Sequence, residues 1–283
     1  MEFRSITTDN LEEYGDRLDA DAAENIGRDC FRGLSLHKGK KDPAEALLVW
    51  EVKNLEEEAD CEAELACFYA EQEKSGDALL AELNGHLAED GVVRSFFEFP
   101  SDLKSADKCM KKAGFSVEKK ESRDLVVSVG ELAALDIVKR TAPAFVAPIG
   151  SLMVRQFRKG IANCMFHGRK GLVEDLATLP MSWYDEDVSC CVQADEKVNG
   201  FLLVHKTASG KLLVELLCAI GPDFRMDILY MMRYSVQAAA KKYPKDTPVI
   251  LRRHSEAVKA LTARLFPKKS GEKVLAGTRE EGR

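Results

Sequence analysis

The chain has 283 residues, 45% hydrophobic and 31% charged, with 41 Lys and Arg against 47 Asp and Glu and a formal net charge of −6. This is an ordinary globular balance, long for one compact α/β unit and comfortable for two at ~100–200 residues per domain. It argues against a dedicated nucleic-acid binder. No apolar run reaches the ~18 residues of a membrane span, and the opening MEFRSITTDN lacks a signal-peptide core, so a cytoplasmic protein without membrane segments is expected.

In chain order, Phe3 to Ile6 reads as a strand, Leu11 to Ile26 as a helix and Ala46 to Val52 as a strand. In the next stretch Ala63, Leu65, Cys67 and Tyr69 alternate with Glu62, Glu64, Ala66 and Phe68, the period-two pattern of a strand with unlike faces. Lys74, Ser75 and Gly76 break that pattern. Leu79, Leu80, Leu83 and Leu87 then fall on one side of a helix that starts near Ser75 to Asp77 and ends at Asp90-Gly91. Val92 to Phe99 is a second apolar run, so the two strands, joined by a crossover helix, are expected to lie parallel in one sheet. A helix leaving a sheet through a short Gly-containing loop points unpaired N–H groups and the positive end of its dipole outward, a seat for phosphate. Ser101 to Ala113 gives a short helix closed by Gly114-Phe115, and Val117 to Val129 supplies the expected final hairpin.

The segment Glu73-Lys74-Ser75-Gly76-Asp77-Ala78 resembles the pyrophosphate loop of the GNAT superfamily of acyl-CoA-dependent N-acyltransferases, whose pattern is Arg or Gln, two residues, Gly, one residue, then Gly or Ala. Gly76 and Ala78 match. Glu73 departs from it, with Gln72 one residue earlier. The element order resembles that superfamily over most of residues 1–130. The resemblance implies a mixed central sheet flanked by helices and acetyl-CoA or another acyl-CoA as cosubstrate. It also implies a small-molecule or peptide amine as acceptor, and a coenzyme-binding segment of Phe68, Tyr69, Ala70, Gln72, Lys74, Ser75, Gly76, Asp77 and Ala78.

The second half repeats the order. Ser189 to Gln193, Gly200 to His205 and Leu212 to Ile220 read as antiparallel strands with turns at Asp195-Glu196 and Ser209-Gly210. A helix (Met226 to Ala240), a strand (Val249 to Arg252), a helix (Ser255 to Leu265) and a hairpin around Ser270-Gly271 follow. Glu215-Leu216-Leu217-Cys218 is similar to Glu64-Leu65-Ala66-Cys67, an alignment that makes the second loop two residues shorter than the first. The expected architecture is therefore α/β, two tandem GNAT-like domains at residues 1–135 and 136–283. Charge separates the halves as well: residues 1–130 carry 17 Lys and Arg against 30 Asp and Glu, and the remainder 24 against 17.

Pro222, Phe224 and Met226 crowd the second loop, so the coenzyme site is expected in the first domain. Arg225 there reads as a surface charge. Members of the superfamily often use a Glu on the central strand as base and a Tyr before Gly-Phe as acid. Glu64, with Glu62, lies on the matching strand, but the aligned Tyr position holds Met110, and Thr262 in the second copy; a thioether donates no proton. Tyr69 is the alternative hydroxyl, so Glu64 and Tyr69 are the candidate catalytic pair. Each also reads blandly, as a solubilising charge and a core aromatic. The eight cysteines form no Cys-x-x-Cys pair and read as reduced thiols, and no two of His37, His86, His167, His205 and His254 have zinc spacing, so no metal is expected. The expected activity is acyl transfer to an amine. Its rival is a catalytically silent ligand-sensing or protein-interaction module, favoured by Glu73 and Met110.

Overall fold

In the computed structural model the structure describes residues 1–53, 61–166, 176, 178–194, 197–253 and 256–282. The Asp195-Glu196 turn, His167, His254 and Ser255 lie outside them. The first elements are β1 (Glu2–Ser5), α1 (Ala20–Ala23), β2 (Phe31–His37), β3 (Ala44–Lys53), β4 (Cys61–Ala70), α2 (Glu73–Glu89), β5 (Val92–Pro100), α3 (Lys104–Lys112) and β6 (Ser116–Glu121). Then come β7 (Asp124–Ser128), α4 (Val129–Ala133), β8 (Val146–Pro148), α5 (Val154–Phe166), β9 (Cys190–Ala194), β10 (Lys197–Lys206) and β11 (Leu212–Ala219). The chain ends with α6 (Phe224–Lys242), β12 (Pro248–Arg252), α7 (Glu256–Leu265) and β13 (Lys273–Glu280).

Two compact units result: Met1–Ser122 with Lys273–Arg283, and Arg123–Glu272. The expected boundary falls at 135/136; the compact units divide the chain between Ser122 and Arg123 and again between Glu272 and Lys273. The first holds a seven-stranded sheet ordered β1-β2-β3-β4-β5-β13-β6, the second a six-stranded sheet ordered β7-β12-β11-β10-β9-β8. Both sheets are mixed, because β4 with β5 and β11 with β12 run parallel while their other neighbours are antiparallel.

Neither expected terminal hairpin forms. β6 pairs with β13, and β7 pairs with β12 in the other sheet. Only Ser122 and Arg123 separate β6 from β7, and a two-residue hairpin needs positive φ at its centre, which Asn-Gly or Gly-X supplies and Ser-Arg does not. The chain crosses between units there instead. β13, similarly, returns to the first unit rather than folding back beside Ser270-Gly271.

The expected helix from Leu11 to Ile26 is also broken into two single 3-10 turns, Leu11–Glu13 and Gly15–Arg17, followed by α1. Gly15 takes φ +49°. Asp19 then opens α1 by accepting the Asp21 and Ala22 amides at 3.0 and 3.1 Å.

Packing in the first unit follows the leucine stripe. Leu79, Leu80, Leu83 and Leu87 of α2 are buried on Leu36, Leu48, Trp50, Leu65 and Phe97, each contributing about 1.5–3 kcal/mol by removal from water. The opposite face of β2, β3 and β4 carries Leu47, Val49 and Cys67 under Tyr14, Leu18 and Ala22. In the second unit α6 covers one sheet face with Met231, Val236 and Ala239, and α5 covers the other with Phe157, Ile161 and Cys164. All eight cysteines are free thiols, six buried and Cys30 and Cys61 half-buried. No helix among the described residues is long and apolar enough to cross a membrane.

Candidate functional site

The site is organised by one extra residue in β4. Val49 pairs with Cys67 and Trp50 with Leu65, so Ala66 is a bulge without an opposite number on β3. A bulge reverses which face the following side chains take. Ala63 and Leu65 therefore share the α2 face with Phe68 and Ala70, while Glu62 and Glu64 share the other with Cys67 and Tyr69. Strict alternation sets Tyr69 with Ala63; the structure sets it with Glu64. The parallel ladder between β4 and β5 ends at Leu65↔Phe97, next to the bulge, so Cys67–Ala70 is paired with β3 alone. An unpaired strand edge of this kind accepts an extended, amide-bearing ligand as an added strand.

Helix α2 begins at Glu73, two residues before the expected start. Its cap is Gln72, whose carbonyl accepts the Ser75 and Gly76 amides at 3.1 Å, leaving the Glu73 and Lys74 amides at the open end of the first turn. Gln72 and Lys74 are exposed. The Glu73 carboxylate holds Lys108 at 2.5 Å, and Asp77 holds Lys112, so the acid of the first turn and the one that follows it are both tied to α3. Ser75 and Gly76 face inward, and Ala78 packs on the core.

Gly76 serves packing. A Cβ there would stand 2.8 Å from the Cys109 sulfur and 3.1 Å from both Ala70 Cβ and Phe68 Cζ. Gly76→Val is accordingly expected to destabilise the first unit by about 1–3 kcal/mol through overpacking, read as a lower melting temperature with no ligand present. An unchanged melting temperature would mean the glycine is not a close-contact position.

The remaining candidates are placed as follows. Glu64 binds Lys53, which also approaches Glu51 at 3.3 Å. Tyr69 accepts from Arg17 Nε at 3.4 Å through its hydroxyl oxygen. Phe68 is buried and stacks on Phe99, centroids 6.3 Å apart, across the parted ends of β4 and β5. Met110 is fully buried in the core against α2, and Thr262 donates within its own helix to Val258 and Lys259 carbonyls. Burial pushes the Cys67 thiol up to about 11, and burial with the Asp77 and Glu73 charges does the same to Cys109, so neither is a thiolate near neutrality. Among the described residues no three His, Cys, Asp or Glu side chains gather as a metal site.

The second unit repeats the device. Leu203 pairs with Leu216 and Val204 with Val214, leaving Glu215 as the bulge, and the β11–β12 ladder ends at Val214↔Leu251. Ala66 thus corresponds to Glu215, which corrects the alignment of Glu64 with Glu215. The loop comparison reverses with it. Glu71 and Gln72 separate β4 from α2, whereas Ile220 to Asp223 separate β11 from α6, a loop two residues longer. Glu215 has a side chain only 7% exposed, 3.9 Å from Arg252. The start of α6 sets Asp223 and Asp227 beside half-exposed Phe224 and Met226, and burial followed by the Asp223 charge raises the Asp227 carboxyl. A diphosphate would meet two acids there.

Among solved structures, the chain is similar along its whole length to a tandem GNAT protein from the clavulanic acid biosynthesis pathway: TM-score 0.60, 10% identity, covering 100% of this chain and 99% of that one. A putative acetyltransferase from Pyrococcus horikoshii matches with TM-score 0.55 and 12% identity, over 99% of this chain and 89% of its own. A GCN5-related N-acetyltransferase from Anabaena variabilis matches with TM-score 0.52 and 13% identity, over 99% and 73%. No protein-family model matches the chain, and no curated protein is similar to it in sequence. The chain has a tandem GNAT fold, α/β with one seven-stranded and one six-stranded mixed sheet.

Proposed function

We propose that the chain is an acyl-CoA-dependent N-acyltransferase whose acyl donor lies along the free edge of β4 in the first unit. The observation that carries this reading is the bulge at Ala66 where β4 and β5 part, which sets Glu64 and Tyr69 on one face of the sheet. The amides of a pantetheine arm pair with the Ala66–Ala70 edge, and its diphosphate meets the Glu73 and Lys74 amides and the Lys74 ammonium. A neutral amine attacks the thioester carbonyl carbon; the C–N bond forms, the C–S bond breaks, and the thiolate leaves with a proton. Glu64, released from Lys53, takes the amine proton directly or through water. Tyr69 is the hydroxyl on that face able to return one to sulfur. Asp223, Asp227, Phe224 and Met226 at the second helix start favour the first unit over the second.

A specific observation favours a second reading. The Phe68–Phe99 stack spans the gap on the helix side, and the buried Met110 offers no acid, as in a catalytically silent module that binds a ligand or a protein. Melting of the full chain across an acetyl-CoA titration separates the two. Saturation at ~100 times the dissociation constant stabilises the native state by ~2.7 kcal/mol, so a rise of several degrees with CoA release in the presence of amines supports the transferase. A flat melting temperature up to millimolar acetyl-CoA leaves the silent module.

A further inference from the structure

Arg17 is a half-buried cation with an uncommitted fork. It closes the turn Gly15–Arg17, which lies against β4 just past the bulge: Arg17 Nε donates to the Tyr69 hydroxyl at 3.4 Å, its guanidinium carbon is 5.8 Å from the centre of that ring, and the Asp19 amide points at the Cys67 sulfur. Two neighbouring cations are already held by glutamates, Lys53 by Glu51 and Glu64, and Arg94 by Glu62. Arg17 forms no ion pair with any described residue, and the Asp19 carboxylate two residues on accepts the Asp21 and Ala22 amides of α1.

Guanidinium carries five N–H donors in a planar fork, and Tyr69 uses the one on Nε. The two terminal nitrogens match the geometry of a carboxylate, which they bind bidentately. We propose that the acceptor amine carries a carboxylate, and that Arg17, oriented by Tyr69, receives it. This rests on the acyl-transfer reading for the role of the amine, but the anion site is a separate property of the chain. A ligand whose amine and carboxylate are several bonds apart, an ω-amino acid or the carboxyl end of a short peptide, lets Arg17 hold the carboxylate while the amine reaches the thioester beside Tyr69.

Equilibrium titration of the full chain with 5-aminopentanoate and with its uncharged partner 5-aminopentanamide, without thioester, tests this. The acid is expected to bind roughly ten-fold or more tightly than the amide, the scale of hydrogen bonds to a charged group. That ratio should fall to about one in Arg17→Gln, recover only in part in Arg17→Lys, which has no fork, and drop in Tyr69→Phe, which loses the group that aims Arg17. Melting temperatures confirm that each variant is folded. Equal binding of acid and amide, no binding of the acid, or a preference that survives Arg17→Gln overturns the proposal. An acid preference without any acetyl-CoA response sinks the transferase reading alone, and an acetyl-CoA response without the preference sinks the anion site alone.

Discussion

A chain that stops at Glu272 is expected to lose the fold of the first unit while the second stays native. β13 lies between β5 and β6, paired from Val274↔Pro100 to Glu280↔Arg94 on one side and from Lys273↔Glu121 to Thr278↔Ser116 on the other. Among the described residues β6 has no second strand neighbour, so removing β13 orphans both ladders. Buried Leu275 and Ala276 leave with it. So does Arg279, which lies 4.6 Å over the Phe115 ring and donates to the Ala113 carbonyl at 2.9 Å, and Glu281, which accepts from Ser95. Truncating one buried leucine costs ~2–5 kcal/mol, and an entire domain is held by only ~5–15 kcal/mol. The chain has two tryptophans, Trp50 in the first unit and Trp183 in the second. In a 5-fluorotryptophan-labelled truncated chain, the fluorine resonance of Trp50 should move to its unfolded position while that of Trp183 holds. Adding a peptide of residues 273–283 should restore the Trp50 signal. The fit is specific: a Cβ on Gly277 would stand 2.5 Å from Phe97 Cε1, so this strand passes over that ring because residue 277 has no side chain. A native Trp50 resonance without the peptide would mean that β13 is dispensable.

Most of the first unit is legible in its residues because local pattern and final environment agree there. Alternation in β4 as far as Leu65, the leucines of α2 and the apolar run of β5 each bury the face their spacing implies. The bulge is where this fails. Ala66 is small and unremarkable in sequence, yet it decides that Glu64 and Tyr69 share a face, and only the register with β3 reveals it. In the second copy the bulge is an acid within an apolar run, Leu-Val-Glu-Leu-Leu, and that out-of-place Glu215 was the available signal. Matching Glu215-Leu216-Leu217-Cys218 to Glu64-Leu65-Ala66-Cys67 on shared residue types offsets the two strands by two residues, and the shorter second loop it implies does not hold.

Strand exchange was hidden for a different reason. Period and propensity identify a strand but not its neighbour, and β13 finds its partners far away in sequence. The turn chemistry of Ser122-Arg123 was the one local hint that β6 and β7 would separate. Gly76 matched a phosphate-loop pattern while serving close packing against Cys109, since the same residue type answers both needs. Arg17 is hidden in the sequence because its segment reads as a continuous helix. Gly15 and the Asp19 cap break that helix, and the break sets the guanidinium over Tyr69.

In the second unit, Asp185→Ala is expected to cost about 1–3 kcal/mol, the range for leaving part-buried donors without their charged acceptor. The Asp185 side chain is 3% exposed. Its Oδ1 accepts from Lys242 Nζ at 2.8 Å and from the Asp187 and Val188 amides at 3.2 Å, and its Oδ2 accepts from the Tyr243 hydroxyl. One carboxylate thereby ties the loop before β9 to the end of α6. Burial pushes the Asp185 carboxyl up, but hydrogen bonds from Lys242, Tyr243 and the Val188 amide outweigh it and hold the group below its usual range. Burial and the Asp185 bond push Tyr243 up to about 12. A depressed folded-state carboxyl stabilises above the unfolded value, ~3.9 for Asp, and the contribution fades as pH falls through the folded value. Urea unfolding followed through the Trp183 fluorine resonance should therefore show the native chain losing stability below about pH 4, with a shallower loss in Asp185→Ala. Asp187 provides the control, because it shares Lys242 at 2.8 Å but is 79% exposed. Asp187→Ala should cost no more than ~1 kcal/mol. If the two substitutions cost the same, the carboxylate is not what holds the loop, and the anchoring would have to come from the backbone bonds of Asp185 to Val204 and Ser189.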